Sequence, residues 1–336
     1  MKRWKNRPEG SNWGDFGEDD QRGRLNLITA EKVRQGAAEV REGRTFCLSL
    51  PLDYPGGNAL APHRQPPRIQ PTQRQDRRFF NYSFANEGPY CDCGSDDAVL
   101  IYTQYSTQWD SLAHIGQHFD ADGDGVAEAV YYNGFRAGED VVDPDARDTG
   151  RTSALGVDAM AAACVQGRGV LVDLRRHFGD QRILVGYDTL MRVLDIDGVT
   201  VETGDMLCLH TGLAALVLAM NRQPDPGVLH NACAALDGSD QRLLRWITDS
   251  GIAALVADNY AVEALPKRVC DDGVRPFVPL HNHCLFKLGL PLGELWYLSE
   301  LAAWLAANGR SRFLLTAPPL RLPGAVGSPV TPIATV

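Results

Sequence analysis

Gln104-Tyr-Ser-Thr-Gln108-Trp-Asp110-Ser-Leu-Ala-His114 is the most informative stretch of the chain. It follows a short apolar run, Val99 to Tyr102, that reads as a buried strand, so its polar residues fall at a strand terminus, where sites are commonly built. In an extended segment Gln104, Gln108 and Asp110 share parity and can point the same way. Asp110 and His114 then bring a carboxylate and an imidazole together, an arrangement suited to acid–base work. A second reading of the same residues has Asp110 capping the next turn and His114 packed in the core, because only a perturbed environment marks such groups as a site.

Working outward toward the N-terminus, residues 51–78 hold Pro51, Pro55, Pro62, Pro66, Pro67 and Pro71 among Arg and Gln. This predicts an extended arm or long loop, of the kind used for function or assembly. Before it, residues 1–28 are a polar, Gly-rich lead-in, and Thr29 N-caps an expected helix from Ala30 to Arg41 closed by Gly43. Toward the C-terminus, Gly169 to Leu174, Met206 to Leu209, Ile252 to Ala257 and Phe313 to Thr316 are short apolar runs bounded by turn formers, and read as buried strands. Helical patterns lie between them: Val157 to Gln166, Tyr187 to Leu194, Ser239 to Ser250 stopped by Gly251, and Glu294 to Ala307 before Gly309. Strands mix with helices without a repeat or a linker, which predicts one α/β or α+β domain. Its parts are a lead-in and helix (1–50), the Pro-rich arm or loop (51–90) and the remainder of the same domain (91–336).

The segment 104–114 resembles the motif His-x-Gly-Thr-His-x-Asp-x-Pro-x-His of the cyclase superfamily that includes kynurenine formamidases. Gln104 and Gln108 fall on the first two histidines, Thr107 on the threonine, Asp110 on the aspartate and His114 on the last histidine. Further stretches resemble the superfamily in the same order: Trp13-Gly14-Asp15 through Gly23-Arg24-Leu25-Asn26-Leu27, Thr203-Gly204-Asp205 through His210-Thr211-Gly212, Ala257-Asp258-Asn259, and Leu285-Phe286-Lys287-Leu288-Gly289 with Glu294. The ordered set is similar to a subgroup in which Thr-Gln-Trp-Asp stands for Thr-His-x-Asp. The resemblance implies a swivelling β/β/α cyclase-like fold, a homo-oligomer (dimer or tetramer) and a metal-dependent hydrolase site. In that site the last motif histidine handles protons, while a later His and Glu complete a second metal position.

At the ligands themselves the chain departs from the motif. Gln104 and Gln108 offer amide oxygens, which are poor zinc ligands beside imidazole. The later His position aligns with Asn282, with His281 or His283 one residue away. Asp110 and Glu294 remain as carboxylate ligands. Either a divalent cation (Mn²⁺, Mg²⁺ or Zn²⁺, the harder ions better suited) binds there, or none does. In the metal-free case Asp110, His114 and Glu294 act as acid–base groups, and the glutamines donate to a developing oxyanion. The expected reaction is hydrolysis or cyclisation at a C–N or C–O acyl bond (amide, lactone or cyclic imide) of a small, ring-bearing compound. Gln104, Gln108, Trp109, Tyr132 and Asn282 are the candidate substrate-binding residues. A metal-free isomerase or dehydratase and a non-catalytic ligand-binding homologue are the alternatives.

Lesser signals remain. Asp120, Asp122, Asp124 and Glu128 with Gly125 match the start of a calcium loop, but Tyr131 stands where an EF-hand needs an acid, so a structural Ca²⁺ and a plain Asp/Gly turn both fit. Trp109, Tyr131, Tyr132, Phe135 and Trp296 can line a pocket, although large apolar side chains mostly pack in cores. His118, His177 and His210 read as structural. Cys91 and Cys93 lack a second pair at zinc-ribbon spacing, and the scattered cysteines, Cys270 among them, read as free thiols of a reducing compartment. A formal net charge of −9 argues against nucleic acid or anionic membrane as partner. The longest apolar run, Leu213 to Met220, falls far short of the roughly 20 residues a spanning helix needs. The polar N-terminus has no secretory pattern, so a small-molecule enzyme of the cytoplasm is expected.

Overall fold

In the computed structural model, residues 3–145, 153–265 and 274–336 are described. The principal sheet has nine strands: β1 (Thr45–Cys47), β2 (Gln108–Asp110), β3 (Gln166–Asp173), β4 (Met206–His210), β5 (Ala254–Ala257), β6 (Leu292–Glu294), β7 (Arg312–Thr316), β8 (Gly327–Pro329) and β9 (Ile333–Thr335). Their order is β1-β9-β7-β3-β4-β5-β6-β2-β8. The central four, β3 to β6, run parallel, and every pairing outside them is antiparallel. Parallel strands need helical crossovers and end up covered on both faces. That is why β4 and β5 are apolar almost throughout.

The side chains of these strands alternate between two cores. Val172, Leu207, Leu209, Leu255, Ala257 and Leu292 face one core, which is covered by helices α2 (Tyr187–Asp197) and α3 (Gln241–Ser250). Leu171, Met206, Cys208, Ala254 and Val256 face the other, under α4 (Ser299–Ala307). Helix ends follow the sequence signals. Asp240 accepts from the Arg242 and Leu243 N–H groups at the start of α3, and Gly251 ends it at φ 67°. The first helix, α1 (Ala30–Ala38), has the expected Thr29 cap and lies against β3. The single α/β (α+β) domain expected from the sequence is the fold observed.

Several element boundaries differ from the sequence reading. Val99 and Leu100 are 56% and 57% exposed, and their strand Asp97–Leu100 pairs with Arg68–Pro71 in an arm instead of joining the buried sheet. That arm carries two further ladders, 73–74 with 77–78 and 82–83 with 93–94. The helix expected over Val157 to Gln166 stops at Ala162, because Cys164 and Val165 take positive φ and Gln166 already starts β3. The helix expected from Glu294 begins only at Ser299. Glu294 ends β6, and the chain turns at Leu295 with φ 52°. This last difference decides the site.

Candidate active site

Register builds the first half of the site. Gln108 of β2 pairs directly with Glu294 of β6, and Asp110 pairs with Leu292. With a side-chain period of two, Gln108, Asp110 and Glu294 share one face while Trp109 and Gly293 share the other. All three polar groups are buried. The Gln108 amide donates to Glu294 Oε2 at 2.9 Å and lies 3.4 Å from Asp110 Oδ1. Gln104, outside the strand, reaches back to donate to Asp110 Oδ1 at 2.6 Å and meets His114 Nδ1 at 2.9 Å. Carboxylates are acceptors only, so both amides must turn their NH₂ toward them, and His114 Nδ1 then accepts. Room for Gln104 comes from Gly327 of β8, where a Cβ would meet Gln104 Cγ at 2.5 Å.

The second half comes from a short helical turn, Pro279–His281, that runs into a π-turn over Asn282–Lys287. His281 Nε2 donates to Glu294 Oε1 at 3.1 Å and lies 3.9 Å from Asp110 Oδ2. Its Nδ1 donates to Glu263 Oε1 at 2.7 Å. Glu263 also accepts the backbone N–H groups of Leu280 and His281, so it caps the turn that carries the imidazole. Neighbours in a helical turn point in different directions. Asn282 therefore donates to Gln117, and His283 meets Thr248 Oγ1. The aligned Asn282 stays out of the cluster, and His281 takes the place.

Burial works against charge on His281, but its bonds to Glu263 and Glu294 prevail and lift it to about 10. Burial and the nearby Asp110 charge push Glu294 up to about 7. His114 goes the other way: burial holds it below its ordinary value, against the pull of Asp110 4.0 Å away. The site thus pairs a charged imidazole with a neutral one. Backbone strain marks the same place, since Val262 before Glu263 and Leu295 after Glu294 both take positive φ. Such conformations cost on the order of 1–3 kcal/mol each and persist where the surroundings impose them. A cavity of about 250 Å³ is lined by Glu263 together with Asn259, Tyr260, Arg182 and Leu213.

The donor set accommodates a divalent cation. One nitrogen or oxygen each from Asp110, His281 and Glu294 lie within 4.8 Å of one another. Among the described residues, Asp110 Oδ2 and Gln108 Oε1 are buried acceptors without a donor. His281 is anchored through its other nitrogen by a carboxylate, the usual support of a ligating imidazole. An oxygen-rich set with one imidazole suits Mn²⁺ or Mg²⁺ better than zinc.

Other candidate residues fall elsewhere. Trp109 is wholly buried on the opposite face, stacked edge-on against Trp296 at 5.0 Å and donating to the Ala317 carbonyl. Tyr132 is wholly buried as well, its ring against Gly289. Neither contacts the cluster, because alternation and packing assign them to the cores. Arg136 pairs with both Glu128 and Asp122, neutralising two of these acids, and Asp120 accepts from the N–H groups of Gly123, Asp124 and Gly125 as a tight turn does. The carboxylates of Asp120, Asp122 and Asp124 still lie close together. Sequence reasoning named His281 only as a neighbour of Asn282 and missed Glu263 altogether. A lone acid in the run Ala261-Val-Glu-Ala-Leu265 was the available signal.

A buried carboxylate–imidazole–carboxylate cluster, with a second, neutral imidazole beside it, thus sits near one end of the mixed sheet of an α/β protein. Residues 47–264 match the family described as "Putative cyclase". A crystal structure described as a novel cyclase is 31% identical, with 97% of each chain covered and a TM-score of 0.74. The chain belongs to this cyclase family. The fold is shared more distantly with isatin hydrolase A from Labrenzia aggregata bound to benzyl benzoate (13% identity, 91% of this chain and 98% of that one, TM-score 0.55). It is shared likewise with an isatin hydrolase bound to the product analogue thioisatinate (14%, 92% and 99%, TM-score 0.56). No curated protein matches.

Proposed function

We propose that this chain is a hydrolase or cyclase acting on a C–N or C–O acyl bond of a small, ring-bearing compound: an amide, lactone or cyclic imide. The observation that carries this reading is the convergence of Asp110, His281 and Glu294 within 4.8 Å, with His114 4.0 Å from Asp110. In the hydrolytic direction a water oxygen bonds to the acyl carbon, the C–N or C–O bond breaks, and one water proton ends on the departing nitrogen or oxygen. His114, neutral and partly exposed, takes the water proton at Nδ1, where Gln104 gives up its hydrogen bond, and passes its Nε2 proton to the leaving atom. Asp110 and Gln104 fix its position, and the His281 imidazolium supplies positive charge toward the acyl oxygen. With a divalent cation bound, His281 would instead be a neutral ligand through Nε2, its proton displaced, beside Asp110 and Glu294, and the ion would lower the pKa of bound water and polarise an acyl oxygen.

Against a panel of lactams, cyclic imides, lactones and formamides, His114→Ala should lower kcat by about 10²–10⁴-fold with the fold intact. Asp110→Asn should do the same. Full turnover in both variants sinks the proposal. A metal-free isomerase or dehydratase is favoured by one specific observation: where the motif has ligating histidines, Gln104 and Gln108 turn amide N–H groups, which cannot ligate a metal, toward Asp110 and Glu294. Elemental analysis separates the two, since a stoichiometric metal whose chelation stops turnover supports the hydrolase. The reading extends to a homo-oligomer in the cytoplasm. An exposed arm that presents Ile69, Phe80, Val99 and Leu100 supports the first, and free cysteines throughout the described residues support the second. Cys208, Cys233 and Cys284 are buried, Cys47, Cys91, Cys93 and Cys164 are exposed, and Cys270 lies outside the described residues. Among the described residues no helix is long and apolar enough to cross a membrane.

A further inference from the structure

Among the described residues the site has a cationic neighbour that the reaction scheme does not use. Arg64 belongs to the Pro-rich segment, far in sequence from the sheet, yet its Nη1 donates to the Gln104 carbonyl at 2.6 Å. The side chain of that same Gln104 holds Asp110 and His114. The segment is tied down a second time where Tyr260 donates to the Leu60 carbonyl at 3.1 Å, and Tyr260 lines the cavity beside Glu263. The Arg64 charge is felt at His114, Tyr260 and Glu294 alike. Among the described residues its Nε and Nη2 make no hydrogen bond and no carboxylate pairs with it. A half-buried guanidinium with unused donors beside a polar site is a ready carboxylate receptor, because its planar fork matches two carboxylate oxygens.

The charge balance points the same way. Asp110, Glu263 and Glu294 outnumber the single imidazolium of His281. An incoming anion is repelled unless a cation lies close enough to offset these charges. We propose that Arg64 is the anion-receiving residue of this site, and that the site binds small carboxylates: the group that opening an acyl bond creates, or that its ring-closing reverse consumes. This rests on the acyl-bond reading for its meaning but not for its measurement.

The probes are benzoate and its neutral isostere benzamide, titrated into the full-length protein by calorimetry. Wild type should bind benzoate at least about tenfold more tightly than benzamide. Arg64→Gln keeps a donor for the Gln104 carbonyl and removes the charge, so it should bring the two affinities together, whereas Arg64→Lys should keep part of the preference. An unchanged thermal midpoint in Arg64→Gln confirms that binding alone is being read. If wild type shows no preference for benzoate, or binds neither probe, or if Arg64→Gln retains the preference, the inference is overturned. Loss of the preference in Arg64→Gln alongside a failed substrate panel would remove the acyl-bond reading and leave the anion site standing. Acyl-bond turnover with a preference independent of Arg64 would do the reverse.

Discussion

Glu263 shows how much of a site can rest on a residue that performs none of its chemistry. Its carboxylate accepts from the Leu280 and His281 backbone and from His281 Nδ1, which fixes the ring so that Nε2 faces Glu294. Gly238 makes the space, since a Cβ there would lie 2.1 Å from Glu263 Oε2. Glu263→Gln keeps the shape but removes the charge and sets an amide N–H against donors. Turnover should fall about 10–100-fold through kcat, with KM little changed. Stability should fall by about 1–3 kcal/mol for the hydrogen bond left unmade. Wild-type kcat in that variant would show Glu263 to be packing alone. At this scale the sequence was only partly legible. Asp110, Gln108, Gln104 and His114 sit within eleven residues of one another and could be read together. Glu263 and His281 come from distant segments that only folding brings to them.

At the scale of elements, the ends of β3, β4 and β5 carry a second polar row, Asp173, His210 and Asp258, on the face opposite the site. His210 Nδ1 donates to Asp173 at 2.8 Å, and Nε2 meets Ser299 Oγ of α4 at 3.1 Å. The order of groups is that of a hydrolytic triad, but the imidazole lies between two carboxyl groups and is not a free base. Burial opposes its charge, yet the bond to Asp173 and the nearby Asp258 raise it above its ordinary 6.5. Asp173 is held below its ordinary 3.8 by that same bond, despite burial. A raised histidine stabilises fully below 6.5 and loses its contribution as pH climbs through the elevated value. A lowered aspartate contributes above 3.8 and loses it on acidification. Urea unfolding should therefore show His210→Asn costing more stability at pH 6 than at pH 9, and an equal cost at both would refute the pinning role. A second contact at this scale is the approach of α1 to β3, where a Cβ on Gly36 would meet the Gly167 carbonyl carbon at 2.7 Å. Gly36→Ala should cost about 1–3 kcal/mol by overpacking, read as a lower midpoint in urea. Helix signals at Thr29 and Gly251 were legible because they are local, whereas the Asp240 cap was passed over inside a helix expected to start at Ser239. The end of β6 was not, because apolar residues after Glu294 fit a helix equally well until the turn at Leu295 is seen.

Across the whole molecule, the parallel centre of the sheet is sealed between two cores, while the arm at 68–100 stays outside both. The arm keeps its own aromatic cluster of Phe79, Tyr82 and Phe84, with Arg74 over two of these rings, yet it leaves Ile69 71% exposed. Exposed apolar surface of this kind marks association. Sedimentation should give a multiple of 36.8 kDa, and Ile69→Ser with Val99→Ser should shift it toward the single chain without lowering the core's unfolding midpoint. A single-chain mass for wild type would end the oligomer reading. By itself the sequence determined the mixed α/β class, the buried strands β3, β4, β5 and β7, the helix signals at Thr29 and Gly251, and the grouping of Gln104, Gln108, Asp110 and His114 in one short segment. Each of these is written in local periodicity or in neighbouring residues. Tertiary structure alone decided that His281 and not Asn282 meets Glu294, that Glu263 and Arg64 attend the site, and that Trp109 and Tyr132 belong to the cores. Those outcomes depend on strand register, the rotation of a helical turn and the return path of a distant loop, which a linear pattern does not encode.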